Sequence, residues 1–219
     1  HLDYSAKVPF LEDTLTYLRN VAINTNKKWA EKLGIPQSTA ITCIKPSGTV
    51  SQLVNSSSGI HARHSPYYIR TVRADVKDPL TIFMKEYGIP NEPDIMNPEH
   101  TSVFSFPIKS DSDSKFRNDM SAMQQLEIWK TYAQYWCEHK PSVTISVQEN
   151  EWIEVGAWCW KNFDHLSGVS FLPYSDHTYK QAPYQELNKE EYYEAKKGMP
   201  KKAIDWSRLQ EFEKEDNTT

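Results

Sequence analysis

The segment Thr39-Ala-Ile-Thr-Cys-Ile-Lys-Pro-Ser-Gly-Thr-Val-Ser51 joins a short apolar run to a glycine-containing turn. Its first part, residues 39–44, is rich in β-branched and apolar side chains, which predicts a strand covered on both sides. The rest reads as a turn at residues 45–51, after which the chain enters a short helix that ends near Val54. A buried strand that leads through a turn into a helix is typical of an α/β protein.

A long amphipathic helix is predicted before this segment, and mixed elements are predicted after it. Residues 10–33 carry an apolar stripe at helical spacing, and Gly34 with Pro36 marks the end of that helix. The stripe consists of Leu11, Leu15, Leu18, Ala22, Trp29 and Leu33. Downstream, the patterns predict strands at residues 67–72, 101–108, 142–147 and 167–173, and helices at residues 79–87, 120–139, 151–163, 188–197 and 205–215.

The connections and caps complete this outline. Asn150 is predicted to cap the helix at residues 151–163, and Asn188 with Glu191 forms a cap pair for the helix that follows residue 188. Residues 109–115 are polar and serine-rich, which predicts an exposed connection, and residues 176–183 read as a loop. Because strands alternate with helices, the pattern predicts an α/β sheet or barrel and leaves the strand order open.

The composition is that of a folded, soluble chain of 219 residues with 7 Trp, 12 Tyr and 8 Phe. A formal net charge of -4 disfavours a nucleic-acid binder. The three cysteines are odd in number and lack CxxC spacing, so neither a disulfide framework nor a metal site is indicated, and a reducing cytoplasm is the simplest compartment. No stretch is apolar over the length that a membrane span needs.

The turn after residue 44 has the chemistry of a phosphate site. Gly48 allows close backbone approach, and Ser47, Thr49 and Ser51 offer hydroxyl groups. The N–H groups of a first helical turn add positive potential. An ordinary strand-to-helix turn, whose hydroxyls only cap the helix, has the same composition. The turn by itself therefore leaves both interpretations open.

Longer stretches of this sequence resemble one family. They are Ala40-Ile-Thr-Cys-Ile-Lys-Pro-Ser-Gly-Thr-Val-Ser51, Ser57-Ser-Gly-Ile-His-Ala-Arg-His64, Pro66-Tyr-Tyr-Ile-Arg-Thr-Val-Arg73, Pro141-Ser-Val-Thr-Ile-Ser-Val147, Gly168-Val-Ser-Phe-Leu-Pro-Tyr174 and Tyr179-Lys-Gln-Ala-Pro-Tyr184. In these words, which span nearly the entire chain in order, the sequence resembles the catalytic subunit of class II, adenosylcobalamin-dependent ribonucleotide reductases. Several long words in register are more specific than the turn alone.

The resemblance implies an α/β fold that is the C-terminal part of a ten-stranded α/β barrel. Residues 1–187 would form the C-terminal half of the catalytic barrel, incomplete without an N-terminal partner, and residues 188–219 a helical extension and tail. By similarity, the substrate phosphates would be held through backbone N–H groups and hydroxyls of Ser47, Gly48, Thr49, Val50 and Ser51.

The basic loop that follows the turn contains His61, Arg63 and His64. The resemblance makes these residues candidate contacts to the substrate or the corrinoid, with a solvated or capping loop as the alternative. Cys43, Cys137 and Cys159 fall on apolar strand or helix positions, which favours core packing over a redox role.

The resemblance further implies adenosylcobalamin as the cofactor of the assembled enzyme, a ribonucleotide substrate, with a triphosphate favoured over a diphosphate, and an external thiol reductant such as thioredoxin. In the family, a cofactor-generated cysteine thiyl radical starts the reduction of ribonucleotide to deoxyribonucleotide. The family's radical-bearing Asn-Pro-Cys word, its reducing cysteine pair and its effector site lie upstream of the matched region and are absent from this sequence. No catalytic residue is therefore predicted in this chain.

These departures, together with an N-terminal His1 in place of Met, suggest one half of a split reductase that acts with a separate N-terminal chain. We expect it in the cytoplasm, or in the host cytoplasm if a phage encodes it. Two alternatives stay open. One is a non-catalytic fragment that stabilises a partner, and the other is an unrelated phosphosugar-binding α/β enzyme.

Overall fold

The computed structural model describes residues 11–47, 50–111, 114–174 and 179–213. The chain packs as two compact units. The first unit comprises His1–Arg63 and Ser112–Ser175, and the second comprises His64–Asp111 and Asp176–Thr219. The predicted division into a barrel half and an extension at residue 187 stays a prediction.

The described residues alternate between helices and strands, as the sequence predicts. The α-helices are α1 (Leu11–Leu33), α2 (Val50–Leu53), α3 (Pro79–Glu86), α4 (Ala122–Tyr135), α5 (Trp152–Lys161) and α6 (Lys189–Lys197). The strands are β1 (Tyr67–Asp75), β2 (Asn91–Pro93), β3 (Thr101–Lys109), β4 (Thr144–Val147), β5 (Ser170–Pro173) and β6 (Tyr184–Glu186). Short 3-10 helices lie at Arg117–Asp119, Glu149–Glu151, Phe163–His165 and Trp206–Glu211.

Helix α1 confirms the predicted long helix and its end. Gly34 has φ +66°, and the N–H of Ile35 donates to the carbonyl of Ala30, so the helix closes with a left-handed glycine. The predicted apolar stripe is only partly covered. Leu15 is buried, whereas Trp29 is about half exposed and Leu33 more so. The amphipathic pattern is thus present in α1 without a complete partner surface in this unit.

The strand predicted at residues 39–44 is wrong. The segment has no strand assignment, and no described strand pairs with it. Instead, the carboxylate of Glu138 accepts hydrogen bonds from the N–H groups of Ile41 at 2.9 Å and Thr42 at 3.2 Å. The carbonyl of Thr42 in turn accepts from the N–H of Glu138 at 2.8 Å. Strand propensity reflects how well side chains pack on a neighbouring strand of a sheet. Here the Glu138 carboxylate, instead of a neighbouring strand, accepts the hydrogen bonds of this segment.

The core of the first unit lies where α4 and α5 pack on a parallel pair of strands. β4 pairs with β5 from Thr144↔Ser170 to Val147↔Pro173, and α5 is the crossover between them. Both strands are confirmed, in shorter form than predicted. The buried cluster consists of Ala122, Leu126, Trp129, Val143, Ile145, Val147, Val155 and Trp158.

The starts and ends of these helices differ from the prediction in two places. Asn150 does not cap α5, because residues 149–151 form a 3-10 turn and the Glu151 carboxylate accepts from the N–H groups of Gln148 and Ala122, each at 2.9 Å. Helix α4 ends at Tyr135 rather than near residue 139. The N–H of Glu138, which would continue the helix, donates instead to the carbonyl of Thr42, in the segment at residues 39–44 that we call the extended segment.

The second unit is built on a four-stranded antiparallel sheet in the order β2-β3-β1-β6. β1 and β3 pair along their full length, from Tyr67↔Lys109 to Asp75↔Thr101. The short strands β2 and β6 were not predicted. Phe83, Met84, Ile89 and Phe104 form the core. Helix α6 begins with the predicted Asn188/Glu191 capping box, whereas the predicted last helix is a 3-10 helix at Trp206–Glu211.

One of the two predicted loops differs in burial from the expectation. The connection at residues 109–115, of which residues 112 and 113 lie outside the described part, buries Ser110 and Ser114. Ser110 Oγ donates to the carbonyl of Ser65 at 2.7 Å, which explains how a polar residue is accommodated there. Residues 179–183 form a loop as predicted, while residues 175–178 lie outside the described part. No helix among the described residues is long and apolar enough to cross a membrane.

Candidate phosphate site and comparison with known proteins

The predicted phosphate turn lies between the extended segment and helix α2. The carbonyl of Ser47 accepts from the N–H of Val50 at 3.0 Å, and this bond directs the chain into α2. Val50 is exposed and Ser51 is buried. Gly48 and Thr49 lie outside the described residues, so their predicted phosphate contacts stay predictions.

A second serine, Ser58, holds the turn from outside the predicted set. Ser47 Oγ donates to Ser58 Oγ at 2.8 Å, and the N–H of Ser47 lies 3.3 Å from the same oxygen. Next to it, Gly59 has φ +55°, and a Cβ at this position would lie 2.9 Å from Cγ2 of Ile44. The serine-rich loop therefore packs directly on the segment before the turn, an arrangement that only a glycine permits.

The hydroxyl of Ser51 is the most informative atom of this site. It is buried and finds no hydrogen-bond partner within the described structure. Leaving a buried hydroxyl unsatisfied costs roughly 1–3 kcal/mol. Such a group is commonly completed by a water or a ligand oxygen. An acceptor such as a phosphate oxygen fits this requirement.

His61 ties the basic loop to strand β4. Its Nε2 accepts from the N–H of Thr144 at 2.9 Å, and its Nδ1 lies 2.6 Å from the carbonyl of Ser58. Since Nε2 accepts, Nδ1 must carry the proton, so the ring is a neutral imidazole with both nitrogens engaged. The geometry supports a positioning role for His61, and a ligand contact stays a prediction.

Arg63 is buried within the first unit, and His64 belongs to the second unit. Arg63 Nη2 donates to Asn55 Oδ1 at 2.7 Å, while its backbone bonds to residues 115 and 117. Asn55 has φ +48°, a conformation that the arginine contact helps to hold. The His64 ring packs against Tyr68 and Tyr184, with ring centroids 5.9 and 5.3 Å apart. The predicted ligand contacts of Arg63 and His64 also stay predictions.

Sequence comparison shows which known proteins this chain is similar to. The chain is 32% identical over 191 residues to an adenosylcobalamin-dependent ribonucleoside-triphosphate reductase of Lactobacillus gasseri, a match that covers 85% of this chain and 26% of that protein. It is 34% identical over 191 residues to a probable enzyme of the same name from Dictyostelium discoideum, covering 84% and 24%. The chain is homologous to part of the adenosylcobalamin-dependent ribonucleotide reductases. No protein-family model matches it.

A solved structure supports the same assignment at the level of the fold. The crystal structure of a B12-dependent (class II) ribonucleotide reductase superposes with a TM-score of 0.72 at 25% identity, covering 92% of this chain and 28% of that protein. This confirms the predicted fold class, an α/β fold that is the C-terminal part of a reductase barrel. The chain spans about a quarter of the length of the reductases that it matches.

Two of the three cysteines, Cys137 and Cys159, have the character of packing residues. Burial raises the pKa of the Cys137 thiol to about 11, and burial also raises the pKa of Cys159. Both thiols are therefore protonated at neutral pH, whereas redox-active cysteines act as thiolates. In the described residues no group of three His, Cys, Asp or Glu side chains could hold a metal ion.

Proposed function

We propose that this chain supplies the substrate-phosphate loop and part of the barrel of an adenosylcobalamin-dependent ribonucleoside-triphosphate reductase. The observation that carries the proposal is the match along 85% of the chain to reductases of that name, together with the likeness to a class II structure. The chain would act with the remaining N-terminal part of the enzyme, present as a separate polypeptide. Its place would be the cytoplasm, consistent with three free cysteines.

Phosphate binding is assigned to residues 47–51. The bond from the N–H of Val50 to Ser47 orders the turn, and Ser58 holds Ser47 from the other side. The Ser51 hydroxyl would donate to a phosphate oxygen, since it has no partner within the described residues. Hydrogen bonds to charged groups are stronger than neutral ones, so a triphosphate is a suitable acceptor. Binding the phosphates away from the reacting sugar orients the ribose for the chemistry.

The radical chemistry would come from the rest of the enzyme. When bound, adenosylcobalamin supplies the radical that starts ribonucleotide reduction, and a thiol reductant such as thioredoxin would supply the electrons. Within this chain, His61 uses both ring nitrogens internally and Arg63 donates to Asn55. These contacts hold both side chains within the protein's own structure. The role of this chain is to bind and orient the substrate.

The uncovered surface of the first unit supports a missing partner. β5 is an edge strand of the described two-stranded parallel sheet, and its Leu172 is 58% exposed. Parallel sheets are found almost only where both faces are covered by other chain. The chain matches about a quarter of its relatives, so the remaining three quarters would complete the sheet.

The test is reconstitution with the purified N-terminal polypeptide, adenosylcobalamin, thioredoxin and a ribonucleoside triphosphate. We expect deoxynucleotide formation that requires both polypeptides. Ser51→Ala should raise the KM for the nucleotide roughly ten-fold, because it removes one hydrogen bond to a charged ligand. The stability of that variant should be unchanged or slightly higher, because the lost hydroxyl has no internal partner.

Ser38→Ala is the matched control. Ser38 lies in the same unit, and its hydrogen bonds are made with Asn26 and not with the residues of the turn. A complex without any deoxynucleotide product would favour the alternative of a non-catalytic stabilising fragment. An unchanged KM in Ser51→Ala would remove the hydroxyl from the phosphate site.

A further inference from the structure

Helix α5 carries large apolar side chains on the side turned away from its own core. Ile153 is 89% exposed and Trp160 is 85% exposed, while Phe163, in the 3-10 turn directly after the helix, is 71% exposed. Residues seven apart lie nearly one above the other on an α-helix, so Ile153 and Trp160 share one side. We call the surface formed by Ile153, Trp160 and Phe163 the outer face of α5.

The opposite side of the same helix is already packed. Val155 and Trp158 are buried in the core of the first unit, and Trp158 Nε1 donates to the Glu127 carboxylate at 2.6 Å. A surface helix normally carries polar residues opposite its buried stripe, and a helix that is apolar on both sides belongs inside a larger assembly. The unit's own core therefore does not account for the outer face.

A notch lies within the outer face at Gly156. This residue is three positions after Ile153 and four before Trp160, so it falls on the same side of the helix. No described heavy atom lies within 4 Å of the position that a Cβ would take, beyond the immediate chain neighbours and the helix backbone. The missing side chain lets the backbone of a partner approach closely between two large apolar groups.

We propose that the outer face of α5 is a docking surface for the remaining part of the reductase, which places apolar side chains against it. This inference rests on the proposed function. The chain covers only 26% of its Lactobacillus gasseri relative and 28% of the solved reductase, so most of the assembly is absent from this chain. Buried aromatic side chains contribute roughly 150–250 Å² each. The outer face therefore supplies about half of the ~800 Å² that each partner contributes to a stable interface.

A second copy of this chain is a weaker occupant. Self-pairing through the outer face alone would bury roughly 800 Å² in total, which is the size of a crystal-packing contact rather than of a stable dimer. Leu172 on β5 and both Leu18 and Trp29 on α1 are further exposed apolar residues of the first unit. A stable interface needs more area than the outer face alone supplies to a second copy, which favours the larger remaining part of the reductase.

The test is a titration of the chain with the separately expressed N-terminal polypeptide, followed by analytical ultracentrifugation. Ile153→Lys and Trp160→Glu should each weaken the complex about thirty-fold, because buried tryptophan and isoleucine side chains are replaced by charges at a central position. Met96→Lys is the matched control. Met96 is 90% exposed, as Ile153 is, but lies in the second unit, and this change should alter the affinity less than two-fold.

Each outcome decides the proposal. Wild-type affinity in both outer-face variants overturns the docking surface and leaves the proposed function standing. Failure of the unaltered chain to bind the N-terminal polypeptide overturns both. A homodimer that Trp160→Glu dissociates identifies a second copy as the occupant and overturns the proposal. Thermal unfolding of each variant guards against a folding defect, which is not expected because both altered side chains are exposed.

Discussion

The antiparallel sheet of the second unit buries its central apolar residues, whereas the parallel pair of the first unit leaves Leu172 on β5 exposed. In the second unit, β1 lies between β3 and β6, and Phe104 is fully buried. In the first unit, β5 is an outer strand with Leu172 exposed. Antiparallel neighbours need only short connections, but each further parallel strand must be delivered by a long crossover. The edge of β5 is therefore the place where the proposed N-terminal part would add further chain.

Around the candidate site, the first unit uses side-chain hydrogen bonds where the sheet of the second unit uses a long backbone ladder. Glu138 takes the place of a neighbouring strand beside residues 41 and 42, and Ser58 and His61 hold the loop around the phosphate turn. In the second unit, by contrast, β1 and β3 pair over nine residues each. The candidate site therefore lies in the unit whose structure depends more on individual contacts.

The largest expected effect is a difference in stability between substitutions in the two sheets. Phe104→Ala should lower the free energy of unfolding of the isolated chain by about 3–5 kcal/mol, because it opens a cavity in a closed core. Leu172→Ala should change it by less than about 0.5 kcal/mol, because the side chain is exposed. Urea unfolding followed by circular dichroism measures both. A loss above about 2 kcal/mol in Leu172→Ala would contradict the comparison, since it would mean that β5 is already covered.

An intermediate effect is expected at the close contact beneath the phosphate turn. Gly59→Ala should cost about 2 kcal/mol, because its φ of +55° disfavours a side chain and its Cβ would lie 2.9 Å from Ile44. Gly34→Ala, with φ +66° and no described atom within 4 Å of its Cβ beyond its chain neighbours, should cost only about 1 kcal/mol. Thermal unfolding of the two variants gives the difference. Equal losses of stability in Gly59→Ala and Gly34→Ala would show that the loop around Gly59 moves away from Ile44 without an energetic cost.

The smallest effect concerns pH and the carboxylate that replaces a strand. The hydrogen bond from the N–H of Ile41, with a second from Thr42, lowers the pKa of Glu138 despite partial burial. A carboxyl whose pKa is lowered on folding stabilises the protein above its ordinary pKa of about 4.3, and this contribution is lost as the pH falls through the folded value. Glu138→Gln should therefore reduce stability at pH 7 and flatten its decline between pH 5 and pH 3.

Urea midpoints measured across that pH range test this prediction. Glu31→Gln, a change of the same kind at an exposed position of α1, is the control and should leave the decline unaltered. If Glu138→Gln declines as steeply as the unaltered chain, the carboxylate does not hold the extended segment. Strand-like pairing would then have to explain it.

Local signals in the sequence predicted most helices and located the glycine-containing turn that carries the candidate site. The end of α1 at Gly34 and the Asn188/Glu191 cap of α6 were predictable, because the residues involved are neighbours in sequence. The phosphate turn was located through its serines and glycine. The holding role of Ser58 was missed, although this residue lies in a serine-rich stretch that was recognised as part of the family resemblance.

By itself, the sequence determined the family resemblance, the order of the helices and the position of the glycine-containing turn, since these depend on residue order and on contacts within a few positions. Only the tertiary structure decided that residues 39–44 are not a strand, that Glu138 binds them, and that the outer face of α5 is left uncovered. The sequence shows no periodic pattern for hydrogen bonds between residues about a hundred positions apart. Nor does it show that a helix face lacks a covering neighbour among the described residues. They arise only when the folded units bring distant segments together.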